Sequence, residues 1–214
     1  MKTIAFDIET IADPAMIQFL PEVEVNKGLK DPVKIEADIA TKRKKQIEDM
    51  GLNPMTNIIC CIGWANEKEA DAKVISPNLS DEKELLMWWW DIASKYDRFV
   101  TFNGRNFDLR AILLHGMLHG VRPSVNIDKG KYNRGNHIDM RPILAGDNKF
   151  AKGELEYFAQ KFLGRSKGDG INGSMIQRYW EMALYDDIAK YCADGDCRIT
   201  YDLWVMAESA GLLE

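Results

Sequence analysis

Apolar and polar positions alternate with a period of two along Thr3-Ile4-Ala5-Phe6-Asp7-Ile8-Glu9-Thr10, which predicts a β-strand with Ile4, Phe6 and Ile8 on one face. The same alternation puts Asp7 and Glu9 side by side on the other face, and two adjacent carboxylates repel unless a cation joins them. The apolar run Ile58-Ile59-Cys60-Cys61-Ile62 reads as a buried strand over 57–64, with 72–75 as its partner. A further strand is read over 98–102, followed by a turn at Asn103-Gly104, and a short one near 137–140. Leu85, Trp88, Trp89, Ile92 and Tyr96 recur at helical spacing and predict an amphipathic helix over 81–96 with Ser80 as its N-cap. Of its three consecutive tryptophans, Trp88 and Trp89 are expected in the core and Trp90 at the edge. Other helices are read over 34–50, 106–119, 154–163 and most of 174–210.

Strands that come first, with helices interleaved and then dominant, indicate an α/β protein with a mixed central sheet flanked by α-helices. No linker divides the chain, so residues 1–214 read as one domain, with 12–56, rich in prolines, as an insertion or arm after the first strand. The loops at 126–135 and 164–173 are glycine-rich, but no glycine fingerprint follows the first strand, which argues against a dinucleotide-binding fold.

Composition narrows the chemistry. The 214 residues are 46% hydrophobic and 29% charged, and 33 acidic against 28 basic residues give a net charge of −5. That balance argues against holding nucleic acid by bulk positive charge, though a carboxylate cluster that binds cations is itself acidic. With no long apolar run and no leader-like start, the reading is a cytoplasmic protein without a membrane span, its four cysteines reduced. The run Thr41-Lys42-Arg43-Lys44-Lys45 fits either a solvated helix face or an arm that contacts phosphates.

Acids in three separated segments stand where a site could form: Asp7 and Glu9 on the first strand, Asp108 at a helix start, and Asp196 in the C-terminal helical region. Oxygen ligands with few nitrogens or sulfurs favour magnesium or manganese, and pairs of such ions serve phosphoryl displacement. His115 and His119, four apart, have zinc-like spacing, but the sequence shows no third ligand, and they read as helix surface or core. Cys192 and Cys197 read as packing residues, and Asp139 as a structural hydrogen-bond acceptor.

Phe6-Asp7-Ile8-Glu9-Thr10 resembles the first motif of the DEDD (DnaQ-like) 3′–5′ exonucleases, Asn103-Gly104-Arg105-Asn106-Phe107-Asp108 the second, and Tyr191-Cys192 through Asp196 and Thr200 the third, in the same order. The stretches His137-Ile138-Asp139-Met140 and Lys167-Gly168-Asp169-Gly170-Ile171-Asn172-Gly173 are similar to stand-alone exonucleases of the tyrosine branch, related to the proofreading domain of family-B DNA polymerases.

The resemblance implies an RNase H-like fold and two divalent cations, Mg2+ or Mn2+. Asp7, Glu9 and Asp196 would hold one ion, and Asp7 would bridge to a second reached by Asp108. Tyr191 would orient the attacking water. Thr10, Asn103, Phe107 and Lys167 would contact the substrate, for which turn, core or solubility roles are the alternatives. It further implies hydrolysis of DNA, expected single-stranded, from its 3′ end to nucleoside 5′-monophosphates, by a monomer that meets its substrate alone or with replication or repair proteins. Trimming of RNA ends, or a catalytically silent nucleic-acid-binding replication accessory module, are the rival readings.

One spacing departs from the tyrosine branch, because four residues rather than three separate Tyr191 from Asp196. On an unbroken α-helix five steps of about 100° set the two about 140° apart, so a kink or helix start is expected near 194, with Asp194 as N-cap. Asp194 itself is the rival ligand to Asp196.

Overall fold

The computed structural model describes residues 1–76, 81–130, 135–146, 154–167 and 170–213. In chain order these contain β1 (Thr3–Ala12), α1 (Pro32–Met50), β2 (Asn57–Ala65), β3 (Ala70–Val74), α2 (Glu82–Ala93), β4 (Arg98–Thr101), α3 (Asp108–His119), β5 (His137–Asp139), α4 (Met140–Ala145), α5 (Leu155–Phe158), α6 (Ile176–Glu181), α7 (Tyr185–Lys190) and α8 (Arg198–Ser209). The strands form one sheet of order β3-β2-β1-β4-β5. β1 pairs antiparallel with β2 and parallel with β4, so the sheet is mixed, as the sequence pattern predicts.

Apolar alternation explains the two layers. Phe6 packs against Trp89, with ring centroids 4.7 Å apart, and against Phe99. That face is covered by α2 and α3, whereas α6, α7 and α8 cover the other. The buried stripe of α2 is Leu86, Trp89, Trp90 and Ala93, at steps of three and four. Trp90 is therefore in the core and Trp88 only half-buried, a correction to the expected order. The N-cap of α2 is Asp81, whose carboxylate accepts the Glu84 N–H at 2.9 Å; Ser80 lies outside the described residues. Of the expected loop glycines, Gly168 lies outside the described residues and Gly170 within them.

The region after β1 is anchored rather than detached. Asp31 caps α1, and the carbonyl of Gly51, just beyond that helix, accepts from the Thr10 hydroxyl and from Asn57 Nδ2, both at 2.7 Å. Lys42 pairs with Asp38 and Lys44 with Glu48 on one helix surface, which supports the solvated-face reading of the basic run. The four cysteines are buried free thiols. Among the described residues no helix is long and apolar enough to cross a membrane.

Candidate active site

The site begins where β1 loses a neighbour. β4 pairs with β1 only from Thr3 to Ala5, and the chain then leaves the sheet through Asn103, whose φ of 70° makes the turn. Beyond that point the backbone of β1 has a free edge, and buried N–H groups require partners. Asp108, the first residue of α3, supplies one: its Oδ1 accepts the Ile8 N–H at 3.0 Å. The pleat then directs Asp7 and Glu9 across the sheet toward the C-terminal helices, where Gly63 on β2 lets that layer approach closely. A Cβ there would lie 2.7 Å from the Cys192 sulfur.

The C-terminal layer differs from the expected break. Residues Tyr191–Cys197 form a π-helical turn, continuous with α7 before it and α8 after it, and the flanking Lys190 and Cys197 have helical backbone angles. No helix starts at 194, and Asp194 is exposed. The wider turn solves the same geometric problem by another route. At about 4.4 residues per turn, each residue rotates about 82°, so five steps bring Tyr191 and Asp196 within about 50° of each other. Asp196, 4% exposed, faces the cleft and Asp194 does not.

Asp7, Glu9, Tyr191, Asp196, Asn103 and Lys167 line one open cleft of about 860 Å³. One oxygen each of Asp7 and Glu9 and the Cys192 sulfur lie within 4.8 Å of one another. Asp196 Oδ1 is paired with Lys167 Nζ at 2.5 Å, while its buried Oδ2 has no hydrogen-bond partner among the described residues. An orphaned carboxylate oxygen beside two further acids fits a hard divalent cation, whose oxygen-rich shell would satisfy it.

Electrostatics agree. Burial first, and then the charges of Asp108 and Asp196, hold the Asp7 carboxyl well above its usual range. Burial also raises Glu9, and pushes Asp108 to about 7 and Asp196 to about 6, the last despite the opposing pull of Lys167. The Tyr191 phenol is raised too, by burial and by Asp196, so it is protonated at neutral pH and can donate a hydrogen bond but not act as a base.

The remaining candidates divide. Thr10 and Phe107 line an adjoining cleft of about 490 Å³, where the Thr10 hydroxyl is already committed to Gly51. Asn103 accepts from Asn106 through its side chain. Lys167 is foremost a counter-ion for Asp196, and its Nζ lies 5.0 Å from the centre of the Tyr191 ring. Asp139 accepts the N–H groups of Asn103, Arg105 and Arg141, which is the structural role expected of it. Sequence reasoning missed the approach of Cys192 to the acids, for which a lone cysteine inside a helix gives no signal, and Arg141 in the cleft wall.

A pH dependence follows from the raised carboxyls. An unfolded aspartate titrates near 4, so between about pH 4 and 7 the metal-free folded chain keeps a proton on Asp108 that the unfolded chain has lost. Stability from this group is therefore present at low pH and lost as pH rises through about 7. His137, lowered by burial to about 4, acts in the opposite sense but is common to wild type and variant. In chelator, Asp108→Asn should melt above wild type at pH 8 by on the order of 5 °C, with a smaller gap at pH 5. A gap that is equal or larger at pH 5 contradicts the assignment.

Comparison with known proteins identifies the family and the fold. The family model described as "Predicted 3'-5' exonuclease related to the exonuclease domain of PolB" matches residues 53–211. DNA polymerase 1 of Sulfurisphaera ohwakuensis is 31% identical over 107 residues, which cover 44% of this chain and 12% of the polymerase. DNA polymerase 1 of Saccharolobus solfataricus is 32% identical over 100 residues, covering 40% of this chain and 11% of the polymerase. The solved family B DNA polymerase of Pyrobaculum calidifontis aligns with 98% of this chain and 24% of its own, at a TM-score of 0.64 and 16% identity. The chain thus spans only a small part of the relatives it matches. The shared architecture is the RNase H-like one, a mixed five-stranded sheet between helices.

Proposed function

The chain belongs to the family of predicted 3′–5′ exonucleases related to the exonuclease domain of PolB, and from that membership together with the acids of the cleft we propose that it hydrolyses single-stranded DNA from the 3′ end. Divalent cations, Mg2+ or Mn2+, would be its cofactors and nucleoside 5′-monophosphates its products. The observation that carries this reading is the gathering of Asp7, Glu9 and Asp196 around one cleft, with burial and the charge of Asp108 raising Asp7 and one oxygen of Asp196 unsatisfied.

Asp7, Glu9, Asp108 and Asp196 would hold the cations. When bound, these would polarise the scissile phosphate and lower the pKa of the attacking water. Tyr191, protonated and fixed by the π-helical turn, orients that water by donating or accepting a hydrogen bond at its phenol. Lys167 holds Asp196 in place and offsets part of the negative charge that a phosphate meets on entering the cleft. Asn103 and Phe107, on the loop leading into α3, are placed to contact the terminal nucleotide, and Thr10 fixes the wall beside Glu9 through its bond to Gly51.

The test is digestion of 5′-labelled DNA and matched RNA strands, linear with a free or phosphate-blocked 3′ end, and circular. The expected result is a cation-dependent ladder that shortens linear DNA from a free 3′ end, with blocked and circular strands intact. Faster cutting of RNA would make it an exoribonuclease, nicked circles an endonuclease, and binding without cleavage an accessory module.

A further inference from the structure

About two helical turns beyond Asp108, α3 carries a second group of metal-competent side chains. His115 and His119 follow each other by one helical turn, and Glu82, the first residue of α2, reaches between them. One ligand atom from each of the three lies within 4.8 Å of the others. Glu82 is thus the third partner that the histidine spacing alone did not show. Helix rise puts His115 about 10 Å along α3 from Asp108, so this group is separate from the cleft.

The hydrogen bonds fix which nitrogen is which. His115 Nε2 stands 2.9 Å from the Pro54 carbonyl, which can only accept, so Nε2 carries a proton. In the neutral ring Nδ1 is then a lone pair, and it faces Glu82 Oε1 at 2.6 Å, an ion-pair distance outside hydrogen-bond geometry. His119 Nε2 meets the other oxygen, Oε2, at 2.7 Å. His115 is 3% exposed and Glu82 7%, so water does not screen this pairing. A buried lone pair against a carboxylate oxygen calls for a positive charge between them. An imidazole whose far N–H is held by a backbone carbonyl is also the usual outer support of a metal-bound histidine.

We propose that Glu82, His115 and His119 form a zinc site that clamps α3 to the start of α2. Two imidazoles and one carboxylate suit zinc and do not suit magnesium, which prefers an all-oxygen shell. Zinc–ligand distances of about 2.0–2.2 Å require donors about 3.3 Å apart, so the carboxylate moves outward by about 0.7 Å as the ion replaces a proton. The fourth position opens on the His119 side, where that ring is partly exposed, and would take a water. The ion would link the loop before β2, the β2 backbone that Glu82 also holds through Ile59 N–H, and the helix that starts with Asp108.

The experiment uses the full chain carrying Asp7→Ala, which weakens the carboxylate cluster as a competing site. After chelation and dialysis the chain is titrated with zinc in excess magnesium. One equivalent is expected to bind and raise the melting temperature, and adding His119→Gln should weaken binding by about 100-fold or more. Cobalt in the same site should show the intense visible bands of a four-coordinate ion. His119→Cys, which keeps a ligand at a partly exposed position, should retain zinc and add a thiolate-to-cobalt charge-transfer band. The proposal is overturned if zinc fails to bind, if binding is indifferent to His119→Gln, or if nitrogen NMR finds both His115 nitrogens protonated with and without zinc, which would make the cluster an ion pair.

Discussion

Asp7→Ala should lower the rate of 3′-end cleavage by about 1000-fold or more while leaving single-strand binding within a few-fold of wild type. Cation binding at a phosphoryl-transfer site is worth several kcal/mol of transition-state stabilisation, and each 1.4 kcal/mol is tenfold in rate. Asp7 is raised by burial first and then by the charges of Asp108 and Asp196, so its loss is expected to remove more cation affinity than loss of any neighbour. The same variant should be more stable than wild type in chelator, because a half-buried carboxylate facing three others destabilises the metal-free fold. Steady-state digestion, filter binding and thermal melts separate these effects. A variant that keeps its turnover, or that loses binding along with it, contradicts the assigned role.

Gly195→Ala should cost about 2–4 kcal/mol of stability and abolish most activity with it. A Cβ at this position of the π-helical turn would lie 2.3 Å from the Lys167 carbonyl oxygen, a backbone atom that no rotamer change can move aside. Either the turn or the segment carrying Lys167 must shift, and both carry the pair that fixes Asp196. Gly28→Ala, where a Cβ meets only the Asn26 side chain at 3.5 Å, is the control and should melt like wild type. Thermal melts of both variants, with metal-dependent nuclease assays, decide this. An unchanged melting temperature for Gly195→Ala would mean that the close approach is not a constraint on the fold.

Much of the candidate site was legible because its parts have local signatures. Asp7 and Glu9 share a pleat face that alternation alone defines, and Asp108 follows a turn written in Asn103-Gly104. The π-helical turn was not legible. One extra residue leaves the apolar pattern of a helix nearly intact, and sequence cannot distinguish a widened turn from a broken one. The burial of Trp90 over Trp88 depended on how α2 is rotated against Phe6 and the sheet, a tertiary fact with no local trace. The link from Lys167 to Asp196 and that from Glu82 to His115 and His119 join residues more than a turn apart across different elements, and charges of opposite sign are too common along a chain to mark such pairs.

Crystals of the chain soaked in manganese, with data collected at the metal absorption edge, test the central claim most directly. The account predicts anomalous peaks in the cleft within coordination distance of Asp7, Glu9 and Asp196, one of them also reached by Asp108 directly or through water, and their loss in Asp7→Ala. A cleft without such peaks at saturating manganese, with Lys167 still seated on Asp196 and the orphaned oxygen unfilled, would contradict it.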